Sequence, residues 1–92
     1  MSVRVTITNE LGMHARAAAR FVQEASRFDS EVWVSKGGER INGKSIMGIL
    51  TLAAARGQEV LIEAEGHDEN EVLGVLERLV SSGFGDVGLI KR

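Results

Sequence analysis

The chain has 92 residues, of which 43% are hydrophobic, and a net charge of −2, so we expect one compact domain over residues 1–92. It contains no cysteine, which excludes disulfides and cysteine-based nucleophiles or metal sites and favours a cytoplasmic protein. The acidic balance and the small number of aromatic residues disfavour a nucleic-acid binder, and no segment resembles a membrane span or a signal peptide.

The first half of the predicted fold contains three strands and one helix. Alternating apolar and polar residues from Val3 to Thr8 predict the first strand. Alanine, arginine and helically spaced apolar residues then predict a helix over Ala15 to Phe28. The second strand contains residues 32–34, and the chain turns at residues 37–38 and returns as a third strand over residues 39–42.

The second half of the predicted fold contains two helices and one strand. Ser45 occupies a favourable N-cap position before a short apolar helix, and residues 59–65 alternate as a fourth strand. Asp68 and Glu71 have the spacing of a capping box at the start of a last helix that stops near Gly83. The order βαββαβα predicts an α+β open-faced sandwich, a four-stranded sheet with three helices on one face. We expect residues 85–92 to form a loose tail.

The most informative segment is LGMHARAA at residues 11–18, which places His14 between a glycine turn and the start of a helix. The first amides of a helix lack intrahelical acceptors and carry the positive end of the dipole, so an anion is favoured there. The same field disfavours the imidazolium ion, so we expect a neutral, nucleophilic ring. Arg16 can supply a planar cationic donor to phosphoryl oxygens.

A purely structural interpretation of these residues is also available. His14 could be a helix-capping residue, with Arg16 and Arg20 on a solvated helix face. The other histidine, His67, precedes the last helix in an acidic loop, and the two histidines do not have a recognisable metal-ligand spacing. We therefore interpret His67 as a surface residue and predict neither a metal nor a cofactor.

Three segments resemble the HPr family, the histidine-containing phosphocarriers of the bacterial phosphotransferase system. LGMHARxA at residues 11–18 is similar to the family's active-site signature, GKSIMGIL at residues 43–50 to its second helix, and GxDE at residues 66–69 to the entry of its last helix. The resemblance extends over residues 3–84 and includes the predicted element order. Together these motifs outweigh the structural interpretation of His14.

The resemblance implies a carrier rather than an enzyme that completes a reaction alone. His14 would be phosphorylated on Nδ1 by Enzyme I, which draws the group from phosphoenolpyruvate, and would pass it to an EIIA-type protein. The backbone amides of Ala15, Arg16 and Ala17, with the Arg16 guanidinium, would hold the phosphoryl oxygens. The family usually has proline where this chain has Ala17, so the start of the helix should be more flexible here.

Ser45 matches the regulatory serine of the family, which implies phosphorylation by the HPr kinase/phosphorylase and contact with a transcriptional regulator. Its alternative role is an ordinary N-cap. We predict a partner-docking surface of exposed apolar and basic side chains on the first two helices, and core packing for Ile49 and Leu52. The docking residues are Arg20, Lys44, Ile46, Met47 and Leu50. Trp33 should point to the uncovered face of the sheet.

The sequence has features of two branches of the family. NxLGMH at residues 9–14 and SSGF at residues 81–84 are similar to the nitrogen-related branch, whereas the Ser45 segment is similar to the kinase-regulated members of the sugar-transport branch. The main alternative function is a non-transferring binding module that acts through Ser45 phosphorylation on a transcription factor or enzyme. We expect a monomer that does not associate with membranes.

Overall fold

The computed structural model describes residues 1–85 and has the predicted element order. The helices and strands are β1 (Ser2–Thr6), α1 (Ala15–Ala25), β2 (Glu31–Lys36), β3 (Glu39–Asn42), α2 (Ile46–Leu52), β4 (Glu59–Glu65) and α3 (Glu69–Ser81), followed by a short 3-10 helix (Gly83–Gly85). Most of the predicted tail, residues 86–92, lies outside the described residues. Within the described part, no helix combines the length and apolarity needed to cross a bilayer.

The four strands form one antiparallel sheet in the order β1-β4-β2-β3. The register places Val5 opposite Val60 and Val34 opposite Ile62, so the apolar residues of neighbouring strands share one face of the sheet. α1, α2 and α3 cover that face, which confirms the predicted open-faced sandwich.

The core lies between the sheet and the three helices. The helical side chains that are buried in it share the apolar stripe of each helix. They are Ala17, Ala18, Phe21 and Ala25 from α1, Ile49 and Leu52 from α2, and Val72, Leu73, Leu76 and Val80 from α3. The predicted burial of Ile49 and Leu52 is therefore confirmed, and the core fixes how α1 lies on the sheet.

The opposite face of the sheet carries Trp33, as the alternation with its buried neighbours predicts. The Arg40 guanidinium lies 4.4 Å from the Trp33 ring centroid, and its Nε donates to Glu63 at 3.1 Å. These side chains come from β2, β3 and β4, so the contact stabilises the sheet across three strands.

α1 is shorter than the predicted helix over Ala15 to Phe28. The amide of Ser26 still donates four residues back, to the Val22 carbonyl, but the Arg27 and Phe28 amides donate only three residues back, to Glu24 and Ala25. The last turn therefore tightens, as helix ends often do, and the helix ends at Ala25.

The predicted capping box of Asp68 and Glu71 is wrong. Asp68 is the N-cap residue of α3, but its side chain makes no capping hydrogen bond. Its carboxylate instead accepts hydrogen bonds from the Asp29 amide at 2.9 Å, the Ser30 amide at 3.0 Å and the Ser30 hydroxyl. Ser30 is buried, so this carboxylate satisfies polar groups that the fold removes from water.

These hydrogen bonds stabilise the charged form of Asp68. The Ser30 hydroxyl, followed by the Asp29 amide, lowers the pKa of the Asp68 carboxyl from 3.8 to about 2. The turn after α1 and the start of α3 are thus joined by a carboxylate that stays ionised over nearly the whole accessible pH range.

We expect Asp68→Asn to lower the melting temperature at neutral pH, because the amide cannot supply the anionic acceptor. The pKa in the folded state lies below the ordinary value, so the stabilisation is fully present above about pH 4 and is lost as the pH falls through 2. Thermal unfolding from neutral pH down to pH 2 should show the difference between wild type and variant shrinking across that window. Ser30→Ala should reproduce part of this behaviour, and a difference independent of pH would contradict it.

Candidate functional site

The loop that leads to α1 is held by hydrogen bonds within residues 9–14. The Gly12 amide donates to the Asn9 carbonyl at 3.1 Å, and the His14 amide donates to the Gly12 carbonyl at 2.9 Å. The side-chain amide of Asn9, which is buried, also donates to the Gly12 carbonyl at 2.8 Å. A short polar network therefore sets the path of the backbone just before His14.

This loop lies directly on the segment that follows α2. The Met13 amide donates to the Ala54 carbonyl at 2.9 Å, and the Met13 side chain is buried in the core. Gly12 has a φ of +63°, and a Cβ added there would lie 2.6 Å from the Ala54 oxygen. Only glycine fits both the left-handed conformation and this close backbone approach.

His14 occupies the N-cap position of α1, with φ −73° and ψ 178°. Its imidazole is half-buried and makes no capping hydrogen bond to its own helix. The first four-residue hydrogen bond of the helix runs from the Ala18 amide to the His14 carbonyl, at 2.8 Å. His14 therefore lies at the positive end of α1 without its side chain capping the helix, which weakens the interpretation of His14 as a capping residue.

The first turn of α1 has the composition of an anion site. The amides of Ala15, Arg16 and Ala17 precede the first four-residue bond of the helix, and the turn contains no acidic residue. Ala15 and Arg16 are exposed, whereas Ala17 is buried. A phosphoryl group on the His14 side of this turn would meet the helix dipole and a guanidinium.

Ser45 is the N-cap of α2, as the sequence predicts. Its hydroxyl oxygen accepts a hydrogen bond from the Gly48 amide at 3.0 Å, and the residue is partly exposed. The structural role of Ser45 is therefore present whether or not the serine is modified.

The residues predicted to bind partners fall into two groups. Ile46, Met47 and Arg20 are exposed, with Met47 reaching 71%. Leu50 is only partly exposed and packs against the core, and the Lys44 ammonium donates to the Phe28 carbonyl at 2.8 Å.

Leu11 is a surface residue that the sequence analysis did not assign to the docking surface. It is 73% exposed, and it lies in the turn before His14. Its position in the turn that leads to His14 was the available signal, because a single exposed leucine elsewhere on a surface is ordinary.

His67 is exposed, as predicted, and it pairs with an acidic side chain. Its Nε2 lies 3.0 Å from Asp29 Oδ2, and this hydrogen bond raises the pKa of the imidazole. Asp29, His67 and Asp68 offer possible ligand atoms within 4.8 Å of one another. Both oxygens of Asp68 already accept protein hydrogen bonds, so the arrangement is explained by its internal contacts.

The chain is similar to known proteins over most of its length. A family model described as the PTS HPr component phosphorylation site matches residues 1–82. The phosphocarrier protein HPr of Neisseria meningitidis serogroup B is 50% identical over 82 residues, covering 89% of this chain and 92% of the relative. The HPr-like protein Crh of Bacillus subtilis is 47% identical over 77 residues, covering 84% and 91%.

Solved structures give the same result. The crystal structure of HPr-C-His from Thermoanaerobacter tengcongensis matches with a TM-score of 0.89 and 47% identity, covering 92% of this chain and 96% of that chain. The HPr dimer from the same organism matches with a TM-score of 0.75 and 48% identity, covering 90% and 95%. Because relatives include a dimer, the monomeric state stays a prediction. The sequence and the fold agree with these relatives, and the chain belongs to the HPr family of phosphocarrier proteins.

Proposed function

We propose that His14 takes up a phosphoryl group from Enzyme I, which draws it from phosphoenolpyruvate, and passes it to an EIIA-type protein. The observation that carries this proposal is the position of His14 at the N-cap of α1, before a first turn without acidic residues. Membership of the HPr family supports it independently.

Each transfer exchanges one phosphorus–nitrogen bond for another. The lone pair of His14 Nδ1 forms a bond to phosphorus while the bond to the donor histidine nitrogen of Enzyme I breaks. The departing imidazole takes up one proton and the phosphorylated His14 ring releases one from Nε2, so the proton count balances. In the second transfer His14 is the donor and a nucleophilic group of the acceptor forms the new bond to phosphorus. The amides of residues 15–17 and the Arg16 guanidinium stabilise the charge on the phosphoryl oxygens during both steps.

The docking surface for these proteins is proposed to be the exposed apolar group of Leu11, Ile46 and Met47. Their exposed fractions are 73%, 43% and 71%, and exposed Arg16 and Arg20 lie on the neighbouring helix. An apolar centre with a basic rim suits acidic partner proteins, and methionine adapts to several of them. Lys44 and Leu50 are proposed to lie at the border of this surface. Each already makes a contact within the fold, Lys44 with the Phe28 carbonyl and Leu50 with the core, so less of its side chain is available to a partner.

Incubation with Enzyme I and labelled phosphoenolpyruvate is expected to give one acid-labile label per chain. His14→Ala should abolish the label, because the accepting nitrogen is lost. Arg16→Ala should slow labelling about tenfold to a hundredfold, the effect of losing one or two charge-assisted hydrogen bonds. The measurement is the rate of label incorporation under single-turnover conditions.

His67→Ala is the matched control, because it removes the other histidine of the chain and leaves α1 unchanged. This variant should be labelled at the wild-type rate. An unlabelled wild-type protein, or label that persists in His14→Ala, would exclude the proposed carrier site.

Ala17→Pro tests the departure from the usual family sequence. Ala17 is the third residue of α1, so proline would remove no four-residue helical hydrogen bond. It would remove one of the amides proposed to bind the phosphoryl oxygens. We expect the variant to retain transfer, with a rate or phosphohistidine lifetime changed by less than about tenfold, as befits one hydrogen bond. Equal rates and lifetimes in the two proteins would show that the substitution has no consequence.

A second proposal concerns regulation at Ser45. The partly exposed Ser45 lies at a helix start, and the relative named HPr-like protein Crh is 47% identical to this chain. We propose that an HPr kinase/phosphorylase phosphorylates Ser45 and that the added charge controls transfer or binding to a transcriptional regulator. A non-transferring regulatory module is the alternative function, and retention of His14 and Arg16 argues against it.

Ser45→Ala should remove acid-stable label introduced by the kinase and ATP while leaving acid-labile label at His14. It should also lower the free energy of unfolding by about 1 kcal/mol, because the Gly48 amide loses its acceptor. Urea unfolding measures the second effect in unmodified protein. Thr51→Ala is the control for the label, since it removes a different exposed hydroxyl from α2. Acid-stable label that survives in Ser45→Ala would refute the assignment.

A further inference from the structure

Ala53, the C-cap residue of α2, has an unusual backbone conformation. Its φ is 53° and its ψ is 42°, which is the left-handed region that glycine adopts readily and alanine only at a cost. Within residues 1–85 the other non-glycine residue with positive φ is Phe84, whose ring is completely buried. Ala53 is exposed, so burial of its own side chain does not offset the strain.

Backbone contacts of Ala53 and of the next residue stabilise the left-handed conformation and offset its strain. The Ala53 amide donates to the Leu50 carbonyl at 3.1 Å, which closes the end of α2. The next residue, Ala54, is buried, and its carbonyl accepts the Met13 amide at 2.9 Å. The same carbonyl fills the space beside Gly12 in which a side chain would otherwise lie.

A left-handed residue reverses the direction of the chain within one step, so it determines where the next carbonyl points. Without the turn at Ala53, the backbone leaving α2 could not direct the Ala54 oxygen toward Met13. Met13 is followed directly by His14, the N-cap of α1. A strained conformation maintained beside a candidate site is a recognised sign of a positioning role.

We propose that Ala53 is a positioning residue, whose left-handed backbone directs the Ala54 carbonyl onto the Met13 amide and thereby fixes the orientation of His14. The role does not involve contact between Ala53 and a phosphoryl group. It rests on the proposed function only in that His14 is the reacting residue; the structural coupling from Ala53 to Met13 stands independently of phosphotransfer.

The test compares variants that differ in their tolerance of positive φ. Asparagine and glycine adopt the left-handed region readily, whereas a β-branched valine does not. Ala53→Val should increase hydrogen exchange of the Met13 amide about tenfold relative to the Ile62 amide of the central strand β4. It should also shift the NMR resonance of the His14 imidazole Cε1 proton. Ala53→Asn and Ala53→Gly should keep both signals at their wild-type values.

Ala55→Val is the matched control, because Ala55 is also exposed but does not have a positive φ. It should leave the Met13 amide and the His14 resonance unchanged. Equal effects of valine at residues 53 and 55, or an unchanged Met13 amide in Ala53→Val, would overturn the proposal.

If Ala53→Val does not fold, the Ala53→Gly and Ala53→Asn variants still test the proposal through exchange of the Met13 amide. Loss of Met13 protection in both Ala53→Gly and Ala53→Asn would overturn the proposal, since each permits the observed conformation. All of these measurements use unphosphorylated protein, so a failure of His14 to accept a phosphoryl group would leave their outcome unaffected. The two proposals can therefore fail separately.

Discussion

The backbone contact between the loop before α1 and the segment after α2 determines how His14 is presented. Its hydrogen bond, from the Met13 amide to the Ala54 carbonyl, contributes only about 1 kcal/mol by itself. The close approach at Gly12 adds a steric constraint, because the two backbones meet without a side chain between them. Burial of the Met13 side chain in the core adds a hydrophobic contact that also holds the loop in place. The three constraints act on two adjacent residues, so the direction of the next residue is determined by the whole core.

Much of the fold could be predicted because only one face of the sheet is covered. Alternation within each strand then gives the core directly, and the four strands and three helices were all predicted in their correct order. The predicted end of α1 was too late because the last turn tightens locally, and the error at α3 occurs where a tertiary contact replaces a local one. Asp68 has the local pattern of a capping residue, yet its carboxylate binds the turn at Asp29 and Ser30, almost forty positions earlier in the chain. The pattern of apolar and polar residues along the chain does not predict a contact between side chains so far apart in sequence.

In the candidate site, too, the features that depend on local sequence were predicted and those that depend on tertiary contacts were not. The N-cap hydrogen bond of Ser45 joins residues three positions apart, so the sequence pattern was sufficient to predict it. The helix-start position of His14 was predicted from its motif for the same reason. The contact of the Lys44 ammonium with the Phe28 carbonyl was not predicted, because it depends on how the segment before α2 passes the end of α1. Side-chain exposure at a site is likewise a property of the packed molecule.

In the turn before His14, the residues that fix the backbone are different from the residues that are exposed to a partner. Its backbone is fixed from within by the buried side chain of Asn9 and by the glycine that follows Leu11. The side chains of Glu10 and Leu11 instead lie exposed to solvent, and Glu10 forms a long surface ion pair, at 3.9 Å, with Arg56. The side chains that face a partner are therefore not the groups that hold the backbone before His14, so a substitution at Glu10 can change recognition while the geometry of phosphoryl transfer stays the same.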